Sequence, residues 1–217
     1  MTRKVIVLDS GQFPILKIEN FLSDTDYNSI KEEVKKYIIE LEDVIDDVKP
    51  SQTDKDFHRL YLDEVYQGVD RKKSDILRII ETNLIDNQMT NIYNNLPETS
   101  FKLIPSSKTL ETQLTVYKDS ASYGWHNDNN KHRIINYVLM IDLGMKFEGG
   151  HTQVSNKQET KEDQNKRTDA EVALNIEPKG NQLIMMPMWV THRVTPIKMN
   201  GNNLSDSRIT VNGHIGV

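Results

Sequence analysis

Two imidazoles and a carboxylate are the residues of this chain best suited to chemistry. His126 and Asp128, within ASYGWHNDNNKHRI (121–134), lie two positions apart just after a segment that reads as a strand. On an extended backbone that spacing sends both side chains off the same face, so imidazole and carboxylate aim at one point. Such a pair can hold a metal. Alone it reads equally well as a hydrogen-bonded loop pair, and a metal needs a further ligand. The other histidines are His58, His132, His151, His192 and His214. His192 is the best placed, because it opens a strand directly after PMWVT and lies 64 residues beyond Asp128, enough chain for several strands to return. Two histidines and one carboxylate on one face of an ion leave three octahedral positions open, an arrangement diagnostic of non-haem Fe(II) chemistry.

These side chains need a scaffold, and the sequence pattern changes once, near residue 100. Before it, helical spacing dominates: Ile30, Val34, Tyr37, Ile38, Leu41, Val44 and Ile45 recur at threes and fours and mark one helix face. Ser23 or Thr25 suits its N-cap, with Asp24 and Asp26 near the positive end of the helix dipole. A second helix is expected from about Lys73 to Tyr93, and the stretch between the two reads as irregular. After residue 100 come short strands at 110–117, 133–143, 151–155, 171–177, 181–188, 192–198 and 207–215, separated by Gly, Asn and Pro. Helices followed by strands place the chain in the α+β class, with helices packed on one sheet.

A length of 217 residues fits one domain with a sizeable core. The net charge of −5 gives no general attraction to phosphate backbones, which makes nucleic acid an unlikely partner. With no cysteine, disulfides, thiolate nucleophiles, zinc fingers and iron–sulfur clusters are all excluded. The apolar run Val5 to Leu8 is too short for a signal peptide, and no stretch is long enough for a membrane helix. The expectation is a soluble cytoplasmic protein. P-loop, G-x-G-x-x-G and nucleophile-elbow motifs are absent.

Four pieces carry a resemblance: LTVYKDSASYGWHND, RIINYVLMIDLGMKFEGGHTQV, PKGNQLIMMPMWVTHRVTPI and SRITVNGHI. In that order, over residues 109–217, they resemble the double-stranded β-helix of the Fe(II)/2-oxoglutarate-dependent dioxygenases, closest to the prolyl-4-hydroxylase-like branch. FPILKIENFLSDTDYNSI is similar to the strand-then-helix opening of that branch. The resemblance implies a single oxygenase domain over 1–217, with an N-terminal strand and supporting helices over 1–100 and a jelly-roll catalytic core over 101–217. It implies Fe(II) held by His126, Asp128 and His192, with 2-oxoglutarate as cosubstrate, O2 as substrate and ascorbate as a candidate reductant.

The family places a basic residue on the last strand to meet the far carboxylate of the cosubstrate. Here that is Arg208, with Thr210 following on the same strand face. A guanidinium fork matches a carboxylate with two parallel hydrogen bonds. Tyr117 stands where the family often has a tyrosine touching cosubstrate. Asn136 faces inward by alternation, where the family more often has threonine. The sixteen residues from His192 to Arg208 exceed the usual spacing of the branch, which leaves Arg193 and Lys198 as rivals to Arg208. Glu148-Gly149-Gly150 matches a family turn whose glycines act through the backbone. His214 and His151 are read as structural, and His132 as solvated.

The implied activity is hydroxylation of an unactivated C–H bond, on a prolyl residue or related amino-acid unit of a peptide, protein or amino-acid substrate. 2-Oxoglutarate is decarboxylated to succinate and CO2 in the same cycle. Asp128 argues against halogenation, since the halogenases of the family give up this carboxylate. The alternative is a jelly-roll module that binds metal or ligand without turnover; Arg208 favours the enzyme, because a mere binding barrel has no use for a dicarboxylate clamp. Residues 51–72 and 156–170 are the expected substrate-covering loops.

Overall fold

The computed structural model describes residues 2–11, 13–44, 57–62, 74–130, 132–156 and 172–217. Strands β1 (Lys4–Asp9) and β2 (Pro14–Glu19) open the chain and are followed by α1 (Asp24–Val44) and β3 (Phe57–Tyr61). Helices α2 (Asp75–Leu84), α3 (Asn87–Asn95) and α4 (Thr99–Lys102) come next. The remaining strands are β4 (Thr109–Tyr117), β5 (Tyr123–His126), β6 (Arg133–Ile141), β7 (Phe147–Gly149), β8 (Thr152–Ser155), β9 (Val172–Ile176), β10 (Gln182–Pro187), β11 (His192–Val194), β12 (Ile197–Met199) and β13 (Ile209–Gly216). Two antiparallel sheets dominate: a seven-stranded sheet ordered β1-β2-β10-β6-β13-β4-β3 and a four-stranded sheet ordered β5-β11-β8-β9. β12 and β7 pair as a separate antiparallel ribbon. This is an α+β jelly roll: the sequence pattern implies the class, and the family resemblance implies the jelly roll.

Period-two alternation decides what each strand offers each side. On β6, Ile135, Tyr137, Leu139 and Ile141 are buried with the helices, in one cluster that includes Ile30, Val34, Ile76, Ile80 and Phe101. On β10, Leu183 and Met185 join that cluster, whereas Ile184 and Met186 point the other way and pack with Val154 and Ile176 of the smaller sheet. The larger sheet is therefore covered by helices on one face and by the smaller sheet on the other, and burying each large aliphatic contributes about 1.5–3 kcal/mol. Towards β13, β4 and β3 the inner face turns polar, and there the sheets enclose a cavity.

The helix expected over 73–93 is two helices. The first stops at Leu84 with Ile85 as its C-cap, and Asp86 begins the second: its carboxylate accepts a hydrogen bond from the Met89 N–H at 2.8 Å, and it is ion-paired with Arg3. An N-cap inside an apolar period lets the chain turn without losing its buried face. At the start of α1 the Ser23 hydroxyl accepts from the Asp26 N–H at 3.1 Å, so Ser23 is the cap rather than Thr25. The strand expected over 192–198 divides at Thr195-Pro196 into β11 and β12, as the missing proline N–H requires. Of the expected loop 51–72, residues 57–61 form an edge strand paired with β4, where an irregular segment was expected; Ile45, and all of the expected loop 156–170 except Asn156, lie outside the described residues. Among the described residues no helix is long and apolar enough to cross a membrane.

Candidate active site

Strand register brings the two histidines together. His126 is the last residue of β5, His192 the first of β11, and they are direct cross-strand partners. Their ring centroids lie 4.2 Å apart. Asp128 follows β5 in a loop whose backbone is tied by the Asp128 N–H to the Met188 carbonyl at 3.2 Å. Its Oδ1 lies 3.8 Å from His126 Nε2 and its Oδ2 3.7 Å from His192 Nε2. One ligand atom from each residue falls within 4.8 Å of the others.

The histidine tautomers suit a metal. His126 Nδ1 lies 2.8 Å from the Gly124 carbonyl and His192 Nδ1 lies 3.0 Å from the Val190 carbonyl. A carbonyl only accepts, so each Nδ1 carries the hydrogen and each Nε2 lone pair faces Asp128. Burial and the adjacent His192 outweigh the pull of Asp128 and depress the His126 pKa to about 4. Burial works against the charged form of Asp128, but His214, His192 and His126 overcome it and hold its pKa well below the usual carboxylate range. Near neutral pH, then, His126 offers a neutral imidazole and Asp128 a carboxylate, the protonation states a divalent ion needs.

The three residues line a cavity of about 220 Å³ that also contains Tyr117, Asn136, Arg208 and Thr210. Arg208 is 2% exposed. Its Nε donates to the Gly150 carbonyl at 3.0 Å and its Nη2 to Thr152 Oγ1 at 3.4 Å. The guanidinium carbon stands 4.8 Å from the centroid of the Tyr117 ring, and burial pulls the Arg208 pKa down. No acidic side chain among the described residues pairs with it. A buried guanidinium left without an anion is costly, and the N–H groups not used by the protein are available to a ligand in the cavity.

Residues 112–216 match the family model described as the 2OG-Fe(II) oxygenase superfamily. Over that span the chain carries an oxygenase domain of that superfamily. It is thereby a dioxygenase whose chemistry uses Fe(II), 2-oxoglutarate and O2, and the His126–Asp128–His192 group fits the iron. In fold the oxygenase is similar to a Pseudomonas putida prolyl-4-hydroxylase, with a TM-score of 0.58 and 15% identity over 93% of this chain and 91% of that one. More distant matches are prolyl 4-hydroxylases from Phytophthora capsici (TM-score 0.48, 14% identity, 93% of this chain and 58% of that one). Another is a 2OG-Fe(II) oxygenase family oxidoreductase from Burkholderia pseudomallei (TM-score 0.47, 13% identity, 82% and 77% of the two chains). Among curated proteins no sequence match was found.

Within this oxygenase, the two rivals of Arg208 lie elsewhere. The Arg193 guanidinium stacks on Trp125 at 4.7 Å, and Lys198 is exposed on β12; neither lines the cavity. Thr210 is buried in the cavity wall, where its hydroxyl donates to Asn212 Oδ1 at 3.0 Å. Asn136, expected to face cosubstrate, donates from Nδ2 to Asp128 Oδ2 at 2.7 Å and so contacts the metal ligand itself. The Glu148-Gly149-Gly150 turn is a backbone device: Gly149 has φ +78°, and a Cβ there would meet the Pro196 carbonyl oxygen at 2.1 Å.

Sequence reasoning missed His214, Glu111 and Arg59. His214 lines the cavity with Nε2 3.7 Å from Asp128 Oδ1 and Nδ1 2.8 Å from Glu111 Oε2. Burial alone would lower its pKa, but the Asp128 and Glu111 carboxylates outweigh that and raise it. The signal was present in the alternation Arg208, Thr210, Asn212, His214, which sends every second residue of the last strand inward. Arg59 and Tyr61 of β3 also line the cavity, so this part of the expected covering segment is a wall built into the sheet.

Proposed function

We propose that this oxygenase is a hydroxylase of unactivated C–H bonds, acting on a prolyl residue or a related amino-acid unit of a peptide or protein, and that it converts 2-oxoglutarate to succinate and CO2 in the same cycle. The observation that carries the reading is the convergence, in one cavity, of three metal-competent ligand atoms and a buried guanidinium that has no acidic partner among the described residues. His126, Asp128 and His192 hold the iron, which when bound supplies the activation of O2 with electrons drawn from the keto acid.

Arg208 meets the far carboxylate of 2-oxoglutarate, with Thr210 beside it and Tyr117 as the surface on which the guanidinium rests. The Gly150 carbonyl and Thr152 hydroxyl fix the guanidinium plane, so its remaining N–H donors present a preset fork. Tyr123, Arg59 and Tyr61 bound the space left for substrate. Support for a prolyl substrate comes from the fold likeness to the Pseudomonas putida prolyl-4-hydroxylase.

The test is incubation with Fe(II), 2-oxoglutarate, O2 and a library of proline-containing peptides, reading succinate and peptide mass. The expected result is succinate formed in step with the gain of one oxygen atom on a peptide, both lost in Asp128→Ala. Metal and 2-oxoglutarate binding without succinate from any substrate would favour the non-catalytic module.

A further inference from the structure

We infer that His214 is a positioning residue for Asp128, held in place by Glu111 and Arg133; the inference rests on the assignment of Asp128 as an iron ligand. Asp128 lies outside any strand, and a carboxylate on a loop turns about two side-chain bonds. Two side chains address its oxygens separately. Asn136 Nδ2 donates to Oδ2 at 2.7 Å, and His214 Nε2 faces Oδ1 at 3.7 Å. At that distance the second contact is electrostatic rather than a formed hydrogen bond.

His214 is itself fixed from behind. Its Nδ1 is 2.8 Å from Glu111 Oε2, and Arg133 grips both Glu111 oxygens, at 2.6 Å through Nη2 and 3.1 Å through Nε. The row Arg133, Glu111, His214, Asp128 thus runs from β6 across β4 and β13 to the metal loop, and each side chain is at most about a fifth exposed. A row of half-buried charges adds little to folding unless every member is paired. This one is paired throughout and ends on the one carboxylate of the ligand set. Groups that orient a metal ligand from behind are typically worth 10- to 100-fold in metal affinity.

The test is anaerobic titration of the full metal-free chain with Co(II), read by its visible d–d band. Wild type is compared with His214→Leu, His214→Gln and Glu111→Gln. The inference predicts Co(II) affinity weakened on the order of 10- to 100-fold in His214→Leu with an altered band. His214→Gln, whose amide N–H dipole can be aimed at Asp128 Oδ1, should recover most of it, and Glu111→Gln should fall between.

A Leu variant with wild-type affinity and spectrum, or a Gln variant as damaged as Leu, overturns the inference. If His214→Leu does not fold, Glu111→Gln decides: a loss supports the relay and wild-type binding overturns it. Wild-type protein that binds no Co(II), or binding that survives His126→Ala, instead removes the assignment of the iron site, and the inference with it.

Discussion

A guanidinium buried to 2% exposure, with no acidic partner among the described residues, is unfavourable unless a ligand completes it. That makes Arg208 the residue where the chemistry is most exposed to test. Hydrogen bonds to a charged partner contribute about 1.5–3 kcal/mol, so Arg208→Ala should raise the 2-oxoglutarate concentration for half-saturation by about tenfold or more, with Co(II) or Fe(II) affinity little changed. The His126 imidazole gives a second prediction. In the unfolded chain it titrates at about 6.5, and in the folded chain at about 4. Between those values the unfolded state takes up a proton that the folded state does not. The metal-free protein should therefore lose stability as pH falls from about 6.5 to about 4, with no contribution from this residue above that window. Denaturant midpoints across the range would check it, and His126→Gln should flatten the slope. Spacing alone singled out His126 and Asp128 and the family pattern singled out Arg208, and the fold brings all three to one cavity. His214 was not, because a histidine near a chain's end reads as structural until the inward face of its strand is known.

Elements place these residues, and the decisive one is the pairing of β5 with β11. No local pattern in YGWH announces a four-residue strand, so this pairing was illegible in sequence even though its consequence, two histidines at one ion, was anticipated. The longer strands were readable because one face of each is continuously apolar. The break between α2 and α3 was not, because the apolar period runs across it while only the Asp86 carboxylate marks the turn; Asp86→Ala should cost about 1 kcal/mol. The β7 turn offers a sharper test. Gly149→Ala places a Cβ against the Pro196 carbonyl oxygen at a left-handed φ, so the backbone must shift. A loss of about 1–3 kcal/mol is expected. Because the next residue supplies the carbonyl that holds Arg208, 2-oxoglutarate binding should weaken together with stability. Chemical denaturation and cosubstrate titration on the same variant would read both, and unchanged cosubstrate binding in a destabilised protein would separate the turn from the site.

At the scale of the molecule, helices seal one face of the larger sheet and the smaller sheet covers part of the other, leaving a polar gap where iron and a dicarboxylate fit. Anything that binds this folded gap and not the unfolded chain stabilises it: metal and 2-oxoglutarate at about 100 times their dissociation constants should each add roughly 2.7 kcal/mol, and their removal should reverse the gain. The central claim is that three ligands and one guanidinium serve a single iron–cosubstrate complex. Its most direct test is anaerobic addition of Fe(II) and then 2-oxoglutarate to the metal-free protein, watching for the weak visible charge-transfer band of ferrous iron chelated by a keto acid. The band should rise to a plateau at one iron per chain, need far more 2-oxoglutarate in Arg208→Ala, and fail to form in His126→Ala. A colourless wild-type protein under saturating iron and cosubstrate, or an undiminished band in His126→Ala, would contradict the account.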